Sequence, residues 1–245
     1  MNKQIIPKYD IRGHIIWGFH NKIHLLNYLF SDQQVKIGVL VAINAEKILI
    51  LEKNNNLNLL LTKEDYLYAD GISIVKAIYR KYPHANISRI TGVDLWEALM
   101  KIAGQKSIPV FLLGGRAKIL KQTKNKLHAE WYVNIVGSHD GYFKPEQREI
   151  LFNRIKDSKA KIVTVALGSP MQEIFIYDCR KVYPNSLYMG IGGAYDIFTG
   201  EVKRAPKLWQ KLGLEWLYRL FSQPNRIKRQ IKLLSFLIYY CTGKL

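Results

Sequence analysis

Asp70 is the residue of this sequence best placed for acid–base chemistry. It stands between an apolar run, Tyr66–Ala69, and an amphipathic one that begins at Ile72, with Gly71 as the hinge. A carboxylate at such a turn can take the proton from a hydroxyl nucleophile in a sheltered site. It can equally cap the helix that starts at Ile72, and spacing leaves both roles open. A second candidate is Gly168-Ser169-Pro170-Met171-Gln172-Glu173, which reads as a strand-to-helix turn with Pro near the first helical turn. Its amides and Gln172 could hold phosphate or sugar hydroxyls, or the segment could simply start a helix. Gly190-Ile191-Gly192-Gly193-Ala194-Tyr195-Asp196 is rich in glycine but lacks the spaced dinucleotide fingerprint. It also falls at the end of the alternating region, which argues against a nicotinamide enzyme.

Several other chemistries lack their residues. There is no Asp-x-Asp pair to clamp a diphosphate through a divalent ion, so leaving-group charge would fall to Arg, Lys and backbone amides. His14, His20, His24, His84, His128 and His139 show no ligand spacing, and no metal or cofactor is expected. Neither a nucleophile elbow nor a phosphate-binding lysine loop occurs. Cys179 and Cys241 have no metal or disulfide framework and read as reduced thiols of a cytosolic protein.

These residues need a scaffold, and the hydrophobic pattern supplies one. Apolar runs at Ile37–Ile43, Tyr66–Ala69, Ile87–Thr91, Val110–Leu113, Val133–Val136, Lys161–Leu167 and Leu187–Ile191 predict strands. Amphipathic segments at Ile72–Tyr82, Asp94–Ala103, Ala117–Ala129, Pro145–Ser158 and Gln172–Val182 predict helices between them. The alternation implies βαβ units and a mainly parallel, Rossmann-like α/β sheet within residues 1–200. Each run stops at small or polar residues: Asn44, Asp70-Gly71, Gly92, Gly114-Gly115, Gly137-Ser138, Gly168-Ser169 and Gly192-Gly193. A parallel sheet gathers such ends on its carboxyl edge, where open α/β sheets bind ligands and helix N-termini favour phosphate.

Charge divides the chain differently. The 245 residues carry 37 Lys+Arg against 19 Asp+Glu, a net +18 that attracts polyanions. Residues 201–245 hold ten of the basic residues, and only Glu201 and Glu215 oppose them. The same segment holds Trp209, Trp216, Tyr218, Phe221, Phe236, Tyr239 and Tyr240, with Pro224 between two helical pieces. It reads as a C-terminal helical, basic appendage that associates with an anionic membrane surface; an ordinary packed helix with solvated charges is the alternative. The apolar stretch Leu233–Cys241 is about half the length needed to span a bilayer. Met1–His20 contains no apolar core of a secretion signal. Nucleic-acid binding is the rival class that the charge permits, but a basic tail that ends apolar suits a bilayer better, and no nucleic-acid partner is expected.

Longer strings resemble the WecG/TagA/CpsF glycosyltransferase family. They are Ala69-Asp70-Gly71-Ile72-Ser73, Arg89-Ile90-Thr91-Gly92-Val93-Asp94-Leu95, Gly168 to Glu173, and Gly192-Gly193-Ala194-Tyr195-Asp196 followed by Arg204-Ala205-Pro206. Gly213-Leu214-Glu215-Trp216-Leu217-Tyr218-Arg219-Leu220 and Gln223-Pro224-Asn225-Arg226 complete the series. Val41 to Lys47, Gly92 to Met100, Asn134 to Ser138 and Tyr239 to Gly243 are most similar to the enterobacterial branch. The resemblance implies transfer of N-acetyl-D-mannosaminuronic acid from UDP to N-acetylglucosaminyl-diphospho-undecaprenol in enterobacterial common antigen synthesis. The acceptor would be met at the cytoplasmic face of the inner membrane by a peripheral protein. A related N-acetylmannosaminyl transfer is the alternative.

By the same resemblance, Asp70 matches the family's general base in an inverting, metal-independent displacement. Asn44 and Arg89 match pocket positions, Tyr142 one near the nucleotide base, and Gln172 and Asp196 positions near the nucleotide-sugar. Gly92, Gly114, Gly115, Gly168 and Arg204 belong to the expected substrate-binding set, and Arg219, Arg226 and Arg229 to an appendage that closes over the site. Two departures stand out. Ala42 occupies a position where the teichoic-acid branch has Thr, and Met171 one where the family commonly has Lys, which removes a positive charge beside the phosphate turn.

Overall fold

The computed structural model describes residues 5–31, 34–54, 65–222 and 227–245, and their side chains except at 211, 219–222 and 227–234. An antiparallel hairpin comes first, β1 (Lys8–Ile11) and β2 (His14–Trp17). Its two-residue turn, Arg12-Gly13, has both φ angles positive, at 52° and 78°. That twist matches the flanking strands, and glycine makes its half of it cheap. Helix α1 (Lys22–Leu29) follows, started by the Asn21 side chain on the His24 amide.

Six strands then form one parallel sheet: β3 (Gly38–Ile43), β4 (Tyr66–Ala69), β5 (Val110–Gly114), β6 (Ile135–His139), β7 (Ile162–Ala166) and β8 (Leu187–Gly190). Their spatial order is β4-β3-β8-β7-β5-β6. Between them run α2 (Ala45–Lys53), α3 (Ile72–Lys81), α4 (Gly92–Gln105), α5 (Ala117–Trp131), α6 (Arg148–Asp157) and α7 (Met171–Val182). The strands are near-continuously apolar because both faces of the sheet are covered. Val39, Val41 and Ile43 enter one core while Leu40 enters the other, and in β5 Phe111 and Leu113 alternate in the same way with Val110 and Leu112.

The mainly parallel α/β sheet agrees with the sequence pattern, with two corrections. Residues 87–91 join no sheet; Ile90 makes one main-chain bond to the Ala69 carbonyl at 2.8 Å, and Gly92 therefore ends no strand but opens α4. Gly137-Ser138 lies inside β6 rather than at its end. A Cβ at Gly137 would meet the Phe111 ring at 2.4 Å, so this glycine makes room for an aromatic and does not turn the chain.

After β8 come the short helices α8 (Ala194–Phe198) and α9 (Lys207–Lys211), then α10 (Glu215–Ser222) and α11 (Ile227–Thr242). Helix α11 lies against α2, and Phe236 is buried in the core on that side of the sheet. The end of α11 is held by cations from the hairpin turn and from α3. Arg12 stacks on the Tyr239 ring and donates to the Lys244 carbonyl, while Arg80 stacks on Tyr240 and donates to the Cys241 carbonyl. Guanidinium groups suit the unsatisfied carbonyls of a helix C-terminus. No helix among the described residues is long and apolar enough to cross a membrane.

Candidate functional site

Beyond the carboxyl ends of β3, β4, β7 and β8 lies a cavity of about 1060 Å³. Helices α2, α3, α4 and α7 begin at its wall, contributing Asn44, Gly71, Gly92 and Ser169. Two of these starts, at α3 and α7, have no side-chain cap. Open amides and aligned peptide dipoles make these two starts suited to phosphate.

Asp70 lines the cavity at the end of β4. Its main-chain amide donates to the Ile43 carbonyl at 2.9 Å, which extends the β3–β4 pairing by one step. Asp70 is not the N-cap residue of the helix that follows. Gly71 is the N-cap of α3, and Asp70 Oδ1 instead accepts from the Gly92 amide at the start of α4, at 2.9 Å. The capping alternative is thereby relocated: Asp70 receives a hydrogen bond from a different helix, and that bond orients the carboxylate in the cavity wall. Beneath it, the buried Tyr68 phenol is pushed well above the ordinary tyrosine range, first by burial and then by the charge of Asp70.

Asn44 caps α2 through its Oδ1 on the Lys47 amide at 2.9 Å and lies against Gly71, where a Cβ would come within 2.9 Å of Asn44 Cβ. Lys47 extends from this first turn to the Ser169 hydroxyl at 3.1 Å and pairs with Glu173. The cation beside the Gly168 turn therefore comes from Lys47, while Met171 stands exposed at the first residue of α7. Gln172 is buried with both polar ends in use: Oε1 accepts from the Gly192 amide at 3.0 Å and Nε2 donates to Glu173 at 3.0 Å. Gly190 is required beneath it, since a Cβ there would sit 2.7 Å from Gln172 Nε2.

Arg89 and Arg204 both line the cavity, and both are fully engaged. Arg89 donates through Nε to the Asp70 carbonyl at 2.9 Å and through Nη1 to the Gln210 carbonyl at 3.1 Å, and pairs through Nη2 with Glu215. Arg204 donates from Nε to the same Glu215 at 3.2 Å and grips Asp94 with two bonds, of 2.5 and 2.9 Å. Burial alone would raise the Asp94 carboxyl; the bonds from Arg204 and the Thr91 hydroxyl outweigh it and hold Asp94 below the ordinary carboxylate range. Its neighbour Glu97 is pushed up, first by burial and then by the Asp94 charge. Asp196 and Glu201 share Arg116, at 3.5 and 3.0 Å.

The structure thus gathers Asp70, Asn44, Arg89, Gly92, Gly168, Gln172, Asp196 and Arg204 at one cavity. Three other expected positions stand outside its wall. Gly114 and Gly115 stitch β5 to β7: a Cβ on Gly114 would collide with the Ala166 carbonyl at 2.4 Å, and the Gly115 amide donates to that carbonyl at 3.0 Å. Tyr142 is 77% exposed on the loop after β6. Arg219 lies in α10 and Arg229 in α11 with side chains outside the description, and Arg226 falls outside the described residues. Lys47 and Glu215 are the residues that sequence reasoning missed. Glu215 carried one signal, as one of two acids in a strongly basic segment.

The fold and the cavity can be set beside known proteins. A family model described as "Glycosyl transferase WecG/TagA/CpsF family" matches residues 21–245, which takes in every strand of the parallel sheet, the cavity wall and the C-terminal helices.

Proposed function

The chain belongs to the WecG/TagA/CpsF family of glycosyl transferases, and we propose that it moves N-acetyl-D-mannosaminuronic acid from UDP to a lipid-linked N-acetylglucosaminyl diphosphate. The observation that carries this reading is a carboxylate, Asp70, in the wall of a cavity ringed by helix N-termini. The acceptor hydroxyl attacks the anomeric carbon as its proton passes to Asp70, and the bond from that carbon to the UDP oxygen breaks with inversion. The open amides at α3 and α7, with Lys47 beside them, meet the negative charge that develops on the diphosphate.

An assay with a short-chain lipid acceptor, offering the uronate and the neutral N-acetylmannosamine donor in parallel, tests the reading. Transfer of the uronate is expected, and it should persist in EDTA. Preference for the neutral donor would move the chain to another branch of the family, and turnover lost to EDTA and restored by magnesium or manganese would overturn the metal-independent displacement.

The acceptor's lipid places the reaction at a membrane, which we propose is the cytoplasmic face of the inner one. Support comes from α9 to α11: Leu208, Leu212, Trp216, Leu237 and Ile238 are exposed there, and Trp216 and Leu237 also line the cavity. Apolar side chains on a basic segment can enter the headgroup region while the cavity faces the acceptor. Leu237 and Ile238 are 54% and 60% exposed, so replacing both by Ser should leave the core intact and weaken flotation with anionic vesicles. Undiminished flotation of the double variant would remove α11 from the contact.

A further inference from the structure

We propose that Glu215 is a positioning residue for Asp70, and that through it the first turn of α10 sets the geometry of the base. Asp70 is held from two sides. Its carbonyl accepts from Arg89 Nε at 2.9 Å, and its carboxylate accepts from the Gly92 amide at the start of α4, also at 2.9 Å. Both supports lead to Glu215. One carboxylate oxygen pairs with Arg89, and the other accepts from Arg204 Nε at 3.2 Å. Arg204 in turn grips Asp94 in the first turn of α4, two residues beyond Gly92.

The same segment touches Asp70's neighbour directly. Gly213 has φ of +72°, and a Cβ there would meet Ile72 Cβ at 3.0 Å, so this glycine lets the turn before α10 settle on the residue that opens α3. Glu215 is itself buried. A buried carboxylate between two guanidinium groups accepts from both at once, and a neutral residue there leaves two like charges facing each other. The loop bearing Asp70 would then lose the fixed end of Arg89.

This inference rests on Asp70 acting as the base, and its test separates the two ideas. Glu215→Ala is expected to lower kcat by about 10–100-fold, the scale of a displaced catalytic group. The donor KM and UDP affinity should stay within about threefold, because Asp70 acts on the acceptor hydroxyl. Added formate should refill the space between the guanidinium groups and restore most of the lost rate in Glu215→Ala, but not in Asp70→Asn. Hydrogen exchange at the amides of Asp70 and Gly71, both bonded to the Ile43 carbonyl, reads the same event without substrate: protection should fall in Glu215→Ala and return with formate. Parental turnover, unchanged exchange at Asp70 and Gly71, or UDP affinity lost in step with kcat would each overturn the role. Should Glu215→Ala not fold, Glu215→Gln keeps the shape without the charge, and a folded Gln variant with parental turnover would overturn it as well. If Asp70→Asn retains turnover while Glu215→Ala loosens Asp70 and Gly71, the base assignment fails and the positioning contact stands.

Discussion

Asp70→Asn is expected to lose about 10²–10⁴ in transfer turnover, the usual contribution of a general base, while keeping its fold. Asn has the same size and retains a carbonyl oxygen that can accept from the Gly92 amide, the bond that orients Asp70 at 2.9 Å. What it lacks is basicity. UDP affinity should change little, since the proton removed belongs to the acceptor and not to the leaving group. Had the side chain capped α3, Asn would have served about as well and turnover would be preserved. The structure gives that N-cap position to Gly71. Transfer rate, thermal midpoint and UDP affinity measured on one preparation decide the matter: turnover within a few-fold of the parent would send the search for the base elsewhere on the cavity wall.

Arg204→Met is expected to cause the largest loss of stability. It withdraws the cation that links Asp94 to Glu215 and leaves Asp94 without its two charged bonds. Removing one member of a buried pair typically costs about 3–5 kcal/mol. The Asp94 side chain is 37% exposed and solvent compensates part of its charge, so about 2–4 kcal/mol is the appropriate range here. At roughly 2–4 °C per kcal/mol for a chain of this size, the midpoint should drop by roughly 5–15 °C. The effect carries a pH signature with a definite sign. Asp94 is held below its ordinary pKa in the folded state, so its stabilisation is present above the unfolded value and lost as pH falls through the folded one. The gap between parent and variant should therefore be widest near neutrality and narrow below about pH 4. A gap that stays constant down to pH 3 would show that Arg204 acts through packing alone.

Much of the sheet was legible because its strands are buried on both faces and its helices on one. Tyr66–Ala69 ends where the apolar run ends, and Val110, Ile162 and Leu187 open strands within a residue of the pattern. The failures share a cause. Ile87–Thr91 has the composition of a strand, but β4 is the edge of the sheet and no strand among the described residues pairs beyond it. Gly137 looks like a turn in one dimension and is a space for Phe111 in three. The hairpin at residues 8–17 has strands of four residues each, too short for their alternation to register.

The site divides along the same line. Residues at strand ends, such as Asn44, Asp70 and Gly168, could be placed because topology alone brings them to one edge. Arg89 entered as a pocket residue only through the family resemblance, and its partner Glu215, 126 positions away, did not enter at all. Lys47 is a similar case, reaching Ser169 across 122 positions. Such pairs depend on which helix starts face one another, and no local pattern encodes that.

The strand order also governs how the molecule is made. β3, next to the edge of the sheet, pairs with β4 on one side and with β8, spanning Leu187–Gly190, on the other. A chain emerging from the ribosome can close the β3–β4 unit early. It then carries one unpaired edge of β3 through the synthesis of more than a hundred further residues before β8 arrives. Long-range parallel pairing is slow, and an exposed apolar strand edge invites association with other chains in the interval. Expression yield should therefore respond more sharply to translation speed and chaperone supply than the stability of the finished protein would suggest.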